Sequence, residues 1–301
     1  MKKAFLHYLI SSCFLLACCI TLIVWPWRSI SEKDFEGLKA NIENGAYIYN
    51  AAGCHSCHLD ENKREDPRLL AGGHILKSDF GNFIVPNISP HPIAGIGNWT
   101  RLEFATALVD GVSPKGQHYY PAFPYTSYAQ MSKQDIVDLF AYIKTLPEIS
   151  TPTPSSDIKF PFNIRLGLGP WKLFFHSKQG RNSGLNNEIS LERGAYIVEA
   201  LAHCGECHTP RSVNGSLIHN KAYSGVNSAQ GRGAIPNITP HENGIGSWSE
   251  EEIVEYLASG FTPEFDSAGG NMASVIEKTS KLTEEDIKSI ALYLKSLRPL
   301  P

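Results

Sequence analysis

The stretch Cys54-His55-Ser56-Cys57-His58 (54–58) and its counterpart Cys204-Gly205-Glu206-Cys207-His208 (204–208) decide how this chain is read. Each is a C-x-x-C-H pattern, the signature of c-type haem attachment. The two thiols add to the vinyl groups of a haem, and the His that follows is set under the iron as its proximal ligand. Other chemistries fit less well. A structural zinc site would want its two C-x-x-C pairs about 15–20 residues apart, whereas these lie in opposite halves of the chain. A thioredoxin-like redox pair would need a strand–helix–strand setting, which neither motif has. Disulfides would leave the His after each pair unexplained. The residues therefore predict two covalently attached c-type haems (iron), one held by Cys54, Cys57 and His58, the other by Cys204, Cys207 and His208.

Outward from the motifs, the chain is a repeat. Gly45-Ala46-Tyr47-Ile48 and Gly194-Ala195-Tyr196-Ile197 precede them. PNISPHPIAGIGNW (86–99) matches PNITPHENGIGSW (236–248), with one residue fewer. The spacing from the motif His to this segment is the same in both halves, 58 to 86 and 208 to 236. Thr100 to Glu103 and Ser249 to Glu252 read as capping boxes that open helices. Ser132 and Thr283 read as N-caps with acids in the first turn. Behind them Ile136, Leu139, Phe140 and Ile143, and again Ile287, Ile290, Ala291 and Leu294, keep a helical period that implies core packing. Gly45 and Gly194 are expected to let the first helix of each unit cross the last one closely, against Tyr142 or Tyr293. The fold class is all-α, with domains over 36–149 and 190–301 and a linker over 150–189. His91 and His241 match in the repeat and read as surface or propionate-contacting residues. Within the linker, TPTPSS is stiff and polar. KFPFNIRLGLGPWKLFF (159–175) is apolar enough to pack across both domains or to form a docking surface.

The N-terminus adds a third element. Lys2 and Lys3 precede an apolar stretch over 4–27. About 20 such residues cross a bilayer, so residues 1–30 are expected to form an N-terminal transmembrane helix with Trp25 and Trp27 at the outer interface. Leu15-Leu16-Ala17-Cys18 is the alternative, a lipoprotein site with Cys18 lipidated. On either reading the rest of the chain faces the periplasm from a bacterial inner membrane. Lys and Arg total 27 against 30 Asp and Glu. With no basic run, nucleic acid is excluded as a partner.

Each iron has a sixth position, commonly filled by Met in cytochromes c. The chain has 3 Met, at 1, 131 and 272. Met272, in GGNMASV before the last helix, is expected to ligate the second iron from a loop. The first half is less regular. Counted forward from Pro114 and Pro263, Met272 corresponds to Phe123, which cannot ligate. Counted back from the last helix, Met131 corresponds to Leu282, a core position. As the only Met of its half, Met131 is the expected ligand, with His118 or an open position as alternatives.

With these motifs in hand, the chain resembles the dihaem or multihaem cytochrome c subunits of bacterial periplasmic alcohol and aldehyde dehydrogenases. The resemblance covers roughly 43–148 and 190–298 and rests on GAYI, the haem motifs, PNI, GIG-W and HYYPAFPYTSY. It implies two tandem class I cytochrome c domains and electron transfer rather than catalysis. A periplasmic dehydrogenase or oxidase subunit would be the partner, with a quinone or terminal oxidase as acceptor. Many relatives read PAMPY, with that Met as ligand, where Phe123 stands in PAFPY. A dihaem subunit of a haem–copper oxidase, and a dihaem enzyme of the peroxidase or thiosulfate dehydrogenase type, are the alternatives.

Overall fold

A computed structural model describes residues 2–59, 66–176, 188–226 and 234–301. The first half contains α1 (Lys2–Val24), α2 (Ile42–Ala51), α3 (Cys54–His58), β1 (Ile75–Ser78), β2 (Gly81–Ile84), α4 (Arg101–Asp110), α5 (Tyr125–Tyr128) and α6 (Lys133–Ile143). The connection carries β3 (Asp157–Ile158) and α7 (Leu168–Phe175). The second half contains α8 (Leu191–Tyr196), which runs into a π-helical turn over Ile197–Leu201, then α9 (Gly205–His208), α10 (Glu250–Ser259), α11 (Gly270–Thr279) and α12 (Glu284–Ser296).

Local chemistry sets the helix starts. Thr100 Oγ1 accepts from the Glu103 N–H at 3.1 Å while the Glu103 carboxylate accepts from the Thr100 N–H at 2.8 Å, opening α4. Ser249 and Glu252 do the same for α10. Ser132 and Thr283 cap α6 and α12. Each reciprocal cap satisfies donors that a helix end otherwise leaves orphaned.

In each half the first helix crosses the last at a glycine. A Cβ on Gly45 would lie 2.1 Å from the Asp138 carbonyl oxygen and 2.8 Å from Tyr142 Cβ. One on Gly194 would lie 2.0 Å from the Ser289 carbonyl oxygen and 2.8 Å from Tyr293 Cβ. These approaches agree with the expectation from sequence. They bury Ile48, Ile136, Leu139 and Ile143 in one half, and Ile197, Ile287, Ile290 and Ala291 in the other.

Two expectations are corrected. The chain is not all-α: β1, β2 and β3 form an antiparallel three-stranded sheet, with Ile75 opposite Ile84 and Gly81 opposite Ile158. The third strand is lent by the connection, whose extended backbone finds its partners there: the Lys159 N–H donates to the Phe80 carbonyl at 2.9 Å, and Ser156 Oγ accepts from Ile84. Backbone groups that leave water need such partners.

The second correction concerns residues 1–30. Among the described residues no helix is long and apolar enough to cross a membrane, so the expected transmembrane helix is not supported. Helix α1 forms, but protein takes up its last turn. His118 Nε2 lies 3.0 Å from the Val24 carbonyl, and a Cβ on Gly169 of α7 would sit 2.6 Å from the Ile23 carbonyl oxygen. Trp27 folds back, its indole N–H donating to the Leu22 carbonyl at 2.8 Å. The Cys18 side chain lies outside the described residues, as do 177–187 of the linker.

The described linker holds both halves. Lys172 Nζ caps the end of α4 by donating to the Asp110 and Gly111 carbonyls at 2.7 and 2.6 Å. Trp171 reaches the other half, donating to the Asn214 carbonyl at 3.1 Å. The same segment leaves Phe160, Leu173 and Phe174 exposed.

Candidate haem sites

Each C-x-x-C-H motif is a single helical turn entered from a left-handed residue. In the first half that residue is Gly53, φ +62°. In the second it is His203, φ +42°, a conformation that disfavours any residue with a Cβ. The four motif thiols are free of disulfides. Burial pushes the thiols of Cys54 and Cys204 up to about 12. Cys57 and Cys207 are raised by the same cause.

The imidazoles fit iron. His58 Nδ1 lies 2.7 Å from the Pro86 carbonyl, and His208 Nδ1 lies 2.8 Å from the Pro236 carbonyl. A carbonyl only accepts, so Nδ1 must carry the proton and Nε2 must carry the lone pair. This is how a metal-ligating His is oriented by its outer hydrogen bond. Burial lowers the pKa of His58 to about 4, and lowers that of His208, which keeps both rings neutral near pH 7.

The PNI segments build that support. Asn87 Nδ2 donates to the Ile149 and Thr151 carbonyls at 2.7 and 2.9 Å, and its Oδ1 accepts from the Ser89 N–H at 2.8 Å. Asn237 repeats this with Leu300 and Thr239. The carbonyl that orients each His is thereby tied to the chain that follows the last helix. His91 Nδ1 accepts from the Ile93 and Ala94 N–H groups, and His241 Nδ1 accepts from Asn243. Both histidines close a turn.

The expected distal residues are placed as follows. Met272 is half-buried in the first turn of α11, so it lies on a helix and not on a loop. Met131 is 4% exposed just before α6, and Leu282 is 7% exposed just before α12. The two occupy matching core positions. Phe123 packs on Tyr119 and Tyr128, with ring centroids 5.7 and 5.8 Å away. His118 directs Nε2 at Val24 near the end of α1.

The two motifs meet at one interface, and residues that sequence reasoning did not single out make it. Tyr47 donates its hydroxyl to Asp286, which Arg193 also clasps through Nε and Nη2 at 2.7 and 2.6 Å. In the reciprocal contact Tyr196 donates to Asp135, to which Asn44 Nδ2 donates at 3.0 Å. Tyr47 and Tyr196 match in the repeat, as do Asp135 and Asp286, and Asn44 and Arg193. The halves therefore meet through an internal pseudo-twofold exchange. At its centre the Tyr128 hydroxyl donates to the Ala52 carbonyl at 3.1 Å, while its ring meets His203 edge-on at 5.5 Å. Glu206, inside the second motif, accepts from Thr126 Oγ1 at 2.8 Å and from Ser127 Oγ at 3.2 Å. Repetition of Tyr in GAYI was the one visible signal for this arrangement.

A repeat of small helical units, each centred on C-x-x-C-H with an oriented neutral His, defines a tandem haem-binding electron carrier. The Cytochrome c family matches at residues 42–147 and 191–298, and the chain belongs to that family. It is 48% identical over 275 residues to a "Diheme cytochrome c-type" protein of Cereibacter sphaeroides, covering 90% of this chain and 92% of that one. It is 38% identical to the fructose dehydrogenase cytochrome subunit of Gluconobacter japonicus, over 86% of this chain and 53% of that one. It is 33% identical to the cytochrome c subunit of the quinone alcohol dehydrogenase of Gluconacetobacter polyoxogenes, over 87% of this chain and 57% of that one. The chain thus spans a little over half the length of those two dehydrogenase subunits. The protein is a dihaem cytochrome c with two c-type haems, an electron-transfer protein and not itself a catalytic enzyme.

Proposed function

We propose that this chain relays single electrons in the periplasm, from a dehydrogenase partner through both of its halves to a quinone or terminal oxidase. The observation that carries the reading is the joint between the motifs: Tyr128 and Glu206 tie the turn around Ala52 to the turn around Cys207. Each bound haem supplies an iron that cycles between ferric and ferrous states. The chain holds, orients and shields. In this reading residues 36–149 and 190–301 are the two haem units and 150–189 joins them. Cys54, Cys57, Cys204 and Cys207 attach the cofactors, and His58 and His208 are the proximal ligands. Kinship to dehydrogenase cytochrome subunits supports the donor, and the quinone named for one relative supports that acceptor.

The double variant Cys54→Ala/Cys57→Ala is expected to keep one covalent haem, and so is Cys204→Ala/Cys207→Ala. Intact-mass analysis reads the count. In each variant the remaining haem should still be reduced by dithionite while electron throughput from dehydrogenase to acceptor is lost. Full throughput with one haem would end the relay reading.

Met272 and Met131 are the proposed distal ligands of the second and first irons. The near-infrared Met-to-ferric-haem charge-transfer band is expected to fall by about half in Met272→Leu and again in Met131→Leu if each haem is His/Met. A band untouched by Met131→Leu would leave that residue in the core role it shares with Leu282.

A further inference from the structure

The charges beside the two motifs differ, and the difference comes from across the interface. Lys278 belongs to α11 in the second half, is 5% exposed, and lies on the first motif. A Cβ on Gly53 would be 3.3 Å from its Cδ and 3.6 Å from its Nζ. Its Nζ donates to Ser274 Oγ at 3.0 Å. Among the described residues no carboxylate lies within ion-pair distance of it, although its neighbours Lys281 and Lys288 both have one. Counted back from the caps Ser132 and Thr283, the matching residue of the first half is Ser127. That neutral side chain touches Glu206 of the second motif, and Arg211 already pairs with Glu206. Among the described residues, the first motif therefore faces a buried cation with no carboxylate partner, and the second faces a compensated anion.

A nearby positive charge favours the redox form of lower positive charge, and burial strengthens the effect by lowering the local dielectric. We propose that Lys278 raises the reduction potential of the haem held by Cys54, Cys57 and His58, so that the second half tunes the first. The inference rests on the reading that these motif residues hold the haems. Lys278 is a positioning charge: it contributes no ligand, and its presence draws the shared electron toward the first half.

The test is spectroelectrochemical titration of the full dihaem chain below neutral pH, comparing wild type with Lys278→Met, Lys278→Arg and Glu206→Gln. Lys278→Met is expected to lower one of the two one-electron waves by on the order of tenfold in reduction equilibrium constant, about 59 mV, and to leave the other in place. Lys278→Arg should restore that wave. Glu206→Gln should raise the other one. Two unshifted waves in Lys278→Met, or a shift of the same wave by Lys278→Met and Glu206→Gln, would overturn the proposal. Haem content by pyridine haemochromogen keeps this failure separate from failure of the attachment reading: a chain with fewer than two haems refutes the attachment, and one with two haems and unmoved waves refutes the tuning. If Lys278→Met does not fold, Lys278→Gln carries the same expectation.

Discussion

Gly194→Ala is expected to destabilise the protein by about 3 kcal/mol, the upper end of the ordinary cost of overpacking. Two effects oppose each other here. In a free helix, Ala is more favourable than Gly by about 1 kcal/mol. Against that, the new Cβ would lie 2.0 Å from the Ser289 carbonyl oxygen and 2.6 Å from its carbon. These are backbone atoms of α12, so relief requires the two helices to separate, and the separation opens the core around Ile197 and Ala291. The clash should win. Gly45→Ala should behave alike against Asp138, whereas Gly167→Ala, with nothing within 4 Å of its Cβ, should be neutral or slightly stabilising. Urea unfolding of the three variants checks this. A Gly194→Ala protein stabilised by about 1 kcal/mol, as in a free helix, would refute the close crossing.

Arg193→Met is expected to cost about 3–5 kcal/mol, because it leaves the Asp286 carboxylate buried with its cation gone. Asp286 is 3% exposed and Arg193 is 9% exposed, so water cannot replace the guanidinium. The repeat supplies an internal control. Asn44 does for Asp135 what Arg193 does for Asp286, so Arg193→Asn should recover part of the loss. Removing both charges in Arg193→Met/Asp286→Leu should recover more, since the burial penalty then vanishes together with the attraction. The readouts are the thermal midpoint and the rate of electron exchange between the two haems, which depends on a fixed interface. An Arg193→Met protein as stable as wild type would mean that the Asp286 carboxylate does not depend on Arg193 and that the Tyr47 hydroxyl suffices for it.

Much of this molecule was legible in local sequence. C-x-x-C-H, the caps at Thr100, Ser132, Ser249 and Thr283, and the glycines of GAYI each act within a few residues or impose a steric need that only one residue type meets. The repeat then carried each local reading from one half to the other. It also matched Met131 to Leu282, and both are buried. The small sheet was less legible, because β3 is only two residues long and takes its identity from the partner it finds. The apolar run at 4–27 suggested a lipid environment, because composition does not say which surface an apolar segment will meet.

By itself the sequence determined the cofactor chemistry, the two-unit plan and the helix starts, since these depend on covalent geometry and on hydrogen bonds a few residues long. Only the tertiary structure decided which carbonyl orients His58 and His208, that Tyr47 and Tyr196 cross to the opposite half's carboxylate, and that Lys278 lies on the other half's motif. A buried polar group must find a partner, but its residue type does not name the partner. Pairing across the chain follows from which surfaces close on each other, and that is settled only when the helices pack.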